Sequence, residues 1–140
     1  MGSSMAAKIE YQTSSGTHSP WLIGILALLI PGGGHLLLKR FSRAVAAGGS
    51  IWITFIVGIM LGGHLYGSSN TATGFLTYVF SFCNMGSGLL YFISRVMSVG
   101  TEERAYLVTS EYGNIFIIVA GLLNYIFALD AFDIAAGRKQ

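Results

Sequence analysis

Four apolar stretches, at residues 21–38, 44–65, 72–93 and 115–129, take up most of the chain and decide what it can fold into. A helix needs roughly 20 mostly apolar residues to cross a bilayer, and fewer where its ends snorkel. Two of the stretches reach that length, the first is interrupted, and the fourth reaches it only by extending through residues 112 to 132. Residues 72–93 hold no Asp, Glu, Lys or Arg at all. A helix of a soluble bundle needs a polar face, and this segment has none. The pattern therefore predicts an all-α polytopic integral membrane protein with four transmembrane helices.

Composition bears on what the chain can bind. It is 53% hydrophobic and 10% charged, with a mean hydropathy of +0.64, against roughly 25% charge in an ordinary soluble domain. Its formal charge of +2 comes from too few basic residues to make nucleic acid a partner. The single Cys83 sits in an apolar segment, so no intrachain disulfide forms, and it reads as a small core residue. Residues 1–19 form a polar leader retained in the mature chain, residues 20–136 one transmembrane domain, and residues 137–140 a short polar tail.

Local signals place the breaks. Ser19 followed by Pro20 is a helix start, since a serine oxygen can cap free amides and proline in the first turn loses no hydrogen bond. At Pro31, Gly32, Gly33 and Gly34 a helix cannot continue, because proline removes a donor and three glycines carry the largest entropy cost. The first helix is broken or re-entrant here. Its freed backbone groups must meet protein or water, never lipid. Gly58 and Gly62, and Ala44 and Gly48, are small pairs at the spacing that lets membrane helices approach closely, either within this bundle or against a partner.

Basic residues report orientation. Lys39, Arg40 and Arg43 follow the first stretch and Arg95 and Arg104 the third, whereas residues 66–73 carry no charge. By the positive-inside rule, loops 39–43 and 95–111 both face the cytoplasm from the inner membrane.

The run P-G-G-G-H followed by L-L-L-K-R-F-S-R-A resembles the turn and basic link of the TM2-like group of small bacterial membrane proteins. The second half, with Glu111-Tyr112-Gly113-Asn114 opening a helix and L-D-A-F-D-I-A closing it, is similar to an uncharacterised bacterial four-helix family of unknown function. The resemblance spans residues 20–136 and implies a four-helix membrane domain with no catalytic residue.

No H-E-x-x-H, G-x-S-x-G, P-loop or cysteine pair is present, so neither metal nor nucleophilic chemistry has support in the sequence. His35 and His64 are candidates to hold a porphyrin-type pigment as axial ligands, against the simpler reading of hydrogen-bonded structural histidines. Asn84 and Asn124 fall at similar depth and are expected to face the interior, and each other. Asp130 and Asp133 share a helix face, which calls for a cation or water contact. His35, at the Gly-rich break, is expected beside Glu111 and Asn114. The resulting reading is a non-enzymatic accessory subunit of a larger respiratory or photosynthetic membrane complex, touching lipid or pigment. A small oligomeric transporter or channel-like protein built on Asn84, Asn124 and Asp130 is the alternative, and a stand-alone membrane scaffold another.

Overall fold

The computed structural model describes residues 19–66, 74–102 and 106–138, so the polar leader with His18, and Arg104, lie outside the described residues. Regular structure there is helical throughout: α1 (Pro20–Leu29), α2 (Gly33–Leu37), α3 (Phe41–Met60), α4 (Phe75–Met85), α5 (Leu89–Val96) and α6 (Ser110–Ala135). By length and apolarity α3 and α6 can each cross a membrane, and α4 with α5 would make a third span if that bent pair counted as one. The expectation of four spans is corrected to two or three. The cause is glycine: the first and third stretches both break near their middles.

Pro20 starts α1 as expected, but the Ser19 side chain makes no cap; its carbonyl instead accepts the Leu22 and Ile23 amides at 3.0 and 3.2 Å. After Leu29 the chain reverses through Gly32, whose φ of +84° suits only a residue without Cβ. Gly34 then lies against Ala27 and the carbonyl of Ile23, so α2 runs back along α1. Leu38 joins Ile23, Ala27, Ala128 and Ala131 in one apolar cluster. Residues Pro31 to His35 are all buried, which gives the broken backbone the protein surroundings it requires.

A second elbow at Gly86-Ser87-Gly88 turns the chain by 107° between α4 and α5. Both arms meet Tyr66: Phe80 lies beside it with ring centroids 5.3 Å apart, and the Tyr91 hydroxyl donates to the Tyr66 carbonyl at 3.4 Å.

The two long helices are antiparallel. Arg43 and Ala47 of α3 line a recess with Phe127 and Asp130 of α6, while Gly58 fits against Gly113 and Ile117. The buried face of α3 runs Ala44, Ala47, Gly48, Ile51, Phe55, Gly58, a helical stripe that is small where α2 crosses and large where α5 and α6 meet it. On α6 the buried face is nearly all small (Gly113, Ala120, Gly121, Ala128, Ala131), so its neighbours pack backbone to backbone. The pairs Gly58/Gly62 and Ala44/Gly48 are used inside the molecule: Cβ atoms at Gly58 and Gly48 would lie 2.9 Å from the carbonyls of Gly113 and Pro31.

This packing corrects the placement of the basic loops. Residues 39–43 lie where α3 begins, whereas Leu65, just past its end, bonds to the Gly100 carbonyl at 2.8 Å and Thr109 to the Leu61 carbonyl at 2.9 Å. Loops 39–43 and 95–111 are thus at opposite ends of α3, and the third stretch, expected to separate them by a straight span, bends by 107° at its glycines. In a Cys83→Ala background, cysteines placed at Ser42 and Ser98 should be labelled by an impermeant maleimide from opposite sides. Labelling of both from one side would refute this arrangement.

Candidate functional site

The hairpin α1–α2 enters from the α6 C-terminal end and α4–α5 from its N-terminal end, and their elbows meet at Asn124. At 1.5 Å per residue, the 10 residues of α1 and 11 of α4 reach about 15 and 16 Å, half a bilayer each. Asn124 Nδ2 donates to the Leu28 carbonyl at 2.8 Å and to the Gly86 carbonyl at 2.7 Å, one from each hairpin. Both acceptors stand near helix C-terminal ends, where carbonyls lack intrahelical donors. One amide therefore joins both elbows to the central helix. Gly88 lies so close that a Cβ there would collide with the Leu28 carbonyl and lie 2.6 Å from that of Leu29.

Around this amide the side chains are polar and neutral. Asn84, Ser87 and Asn124 are at most 1% exposed. Both polar atoms of Asn84, the Ser87 hydroxyl and Asn124 Oδ1 have no hydrogen-bond partner among the described residues. Thr77, Ser81, Asn84 and Ser87 follow one another at steps of four, three and three, which sets a polar line along α4 from its outer end to the elbow. The sequence reading has Asn84 and Asn124 facing inward, and both are buried. It missed Thr77, Ser81 and Ser87, whose helical spacing within a charge-free stretch was the available signal. Asn124 uses its donors on backbone rather than on Asn84.

His35 is 2% exposed and its Nε2 lies 3.1 Å from Asp130 Oδ2. That nitrogen is one an axial ligand would use, and the edge of Phe127 flanks the ring with centroids 6.3 Å apart. His35 is therefore at the α6 C-terminal end, not beside Glu111. Glu111 is exposed at the other end, 19 residues from Asp130 and about 28 Å away along the helix. The expectation assumed that the first stretch crosses; its reversal keeps His35 at the end where it entered. Asn114, expected near the Gly-rich break, instead accepts the His64 backbone amide at 2.6 Å, beside Gly63 and Gly113. His64 is buried against Tyr66, with ring centroids 5.1 Å apart. Asp133 faces Arg138 at 3.7 Å on the surface, a pair that contributes little. Among the described residues no group of three His, Cys, Asp or Glu side chains is placed to hold a metal ion.

The His35–Asp130 pair makes a direct test. Asp130→Ala should lower stability in detergent by about 1–3 kcal/mol, because it takes a partner from the buried His35, and His35→Ala should cost less, because Asp130 is 25% exposed. Their effects should be non-additive by at least about 0.5 kcal/mol in a double-mutant cycle, while His35→Ala and Glu111→Ala should add.

No curated protein and no solved structure matches the chain. Residues 22–140, which hold both hairpins and both long helices, match the family described as "Family of unknown function (DUF6677)", and the chain belongs to that family.

Proposed function

We propose that the protein is a small channel- or transporter-like protein of the inner membrane, in which two half-depth, re-entrant hairpins bring a polar site to the bilayer midplane. The observation that carries this reading is Asn124, whose single amide holds the Leu28 and Gly86 carbonyls of hairpins entering from opposite ends. Broken helices meeting at mid-depth are the usual way that a membrane transporter exposes backbone groups to a substrate without exposing them to lipid. Each hairpin also closes a different route. Loss of the Leu28 bond frees α1–α2 and opens the site toward the α6 C-terminal end; loss of the Gly86 bond frees α4–α5 and opens it toward the other. Two glycine-rich elbows supply the backbone freedom for either motion.

Orientation follows from charge. Lys39, Arg40, Arg43 and Arg138 gather at the α6 C-terminal end, against Arg95 alone among the described residues at the other. The positive-inside rule assigns the first end to the cytoplasm.

An accessory role in a respiratory or photosynthetic complex, or as a scaffold, would draw on the exposed apolar residues of the outer surface. The small-residue pairs that suggested an external interface serve internal packing instead. Purified protein in vesicles separates the readings. The proposal expects water, glycerol, urea, Na⁺ or K⁺ to cross faster than in protein-free vesicles. If none does, and the chain purifies at fixed stoichiometry with a large complex, the accessory reading replaces it.

A further inference from the structure

The polar site at the elbows has a composition that selects its ligand by charge and size. Its unmet groups are Asn84 Oδ1 and Nδ2, Ser87 Oγ and Asn124 Oδ1, with the carbonyls of Leu28 and Gly86 already held by Asn124. An amide offers one acceptor and two donor hydrogens whichever way it is turned, and a hydroxyl serves as both. A bare cation would satisfy the oxygens and leave the Asn84 NH₂ facing positive charge. An anion would meet that NH₂ but face the carbonyl-rich ends of α1 and α4, where the helix dipoles are negative. The nearest carboxylate along α6, Asp130, is six residues away, about 9 Å, and is engaged by His35. Size is constrained as well. A Cβ at Gly86 would lie 2.7 Å from the Gly121 carbonyl, and one at Gly121 would collide with the Cys83 carbonyl, so α4 and α6 pack backbone to backbone beside these groups, which favours a small guest.

We propose that Asn84, Ser87 and Asn124 bind a neutral, water-sized molecule that both donates and accepts hydrogen bonds, and that water itself is that ligand. Buried polar groups without protein partners are where ordered water is found, provided two to four such groups converge. The line Thr77, Ser81, Asn84, Ser87 continues the same chemistry along α4, with hydroxyls and an amide and no charge. Binding stands on these groups alone; the further claim that the site is a station on a path rests on the function proposed above.

Solution NMR of the detergent-solubilised full chain tests the binding. Cross-relaxation should appear between water and the side-chain NH₂ groups of Asn84 and Asn124, and Asn84→Leu should abolish it at Asn124. Titration with NaCl and KCl should leave both resonances in place. Because Asn84→Leu removes a polar group from a packed elbow and could misfold, Ser87→Ala is the second variant, expected to weaken the water contact at Asn84. Absence of the contact in the unmodified chain overturns the proposal, as does a saturable shift with either salt. Osmotic swelling of vesicles then tests the path separately. Swelling faster than in empty vesicles that Ser87→Ala reduces supports both site and path. Water contact without faster swelling upholds the site and refutes the path for water.

Discussion

Gly88→Ala should cost about 2–6 kcal/mol of stability in detergent, the sum of a backbone term and a steric term. Gly88 has φ +60° and ψ −125°, a conformation that L side chains rarely adopt and that costs a residue with Cβ about 1–3 kcal/mol. The added methyl also points at the Leu28 carbonyl and lies 2.6 Å from that of Leu29. Those atoms are backbone of the opposite hairpin, so no rotamer change can relieve them; the elbows must separate, at about 1–3 kcal/mol for the overpacking. Gly49→Ala is the control. No atom outside its own helix lies within 4 Å of a Cβ at Gly49, and in mid-helix the change should be neutral or stabilising by up to about 1 kcal/mol. Thermal unfolding followed by monomer recovery on size exclusion would measure both. A Gly88→Ala protein as stable as its parent would mean that the hairpin tips do not touch.

The helices themselves were legible in the sequence, and the reason is chemical. Apolar runs fix where helices form in a bilayer, and Pro31 with its three glycines marks a stop that no packing can override. Burial of Asn84 and Asn124 was legible too, since an amide in mid-span has nowhere else to go. The direction in which the chain leaves each stop was not legible. A broken helix can bend and continue or turn back, and the choice is made by partners distant in sequence: Ala27 and Ala131 accept Gly34 at close range, and Gly121 accepts the Cys83 carbonyl. Reading residues 72–93 as one straight span led to the pairing of the basic loops on one face, which the 107° bend between α4 and α5 undoes. Taking the first stretch to cross placed His35 beside Glu111, when the acid that reaches it is Asp130. Once the first stretch is known to reverse, Asp130 becomes the expected partner, as an acid near the α6 C-terminus whose charge the helix dipole disfavours.

Asn124 is where the second large effect is expected. Asn124→Leu keeps the approximate volume of the side chain and removes both donors, so the Leu28 and Gly86 carbonyls lose their partner at mid-depth. An unmet buried group costs about 1–3 kcal/mol, and two of them set the expectation at about 2–4 kcal/mol after partial relaxation of the elbows. Interhelical hydrogen bonds in membranes average only about 0.6 kcal/mol because the disordered reference state finds other partners. A carbonyl near a half-helix end, facing a packed core, has few alternatives, so the larger figure should hold here. Asn124→Asp supplies the sharper measurement. Burial beside two carbonyl oxygens leaves a carboxylate with no compensating donor or cation, whereas the protonated acid brings an O–H that a carbonyl can accept. The Asn124→Asp protein should therefore be most stable in acid, where its single O–H can serve one of the two carbonyls, and should weaken toward neutral pH. Asn124→Leu should show no such dependence relative to the parent. Equal pH profiles for the two variants would mean that position 124 does not face the carbonyls of both hairpins, and the latch between them would have to be sought elsewhere.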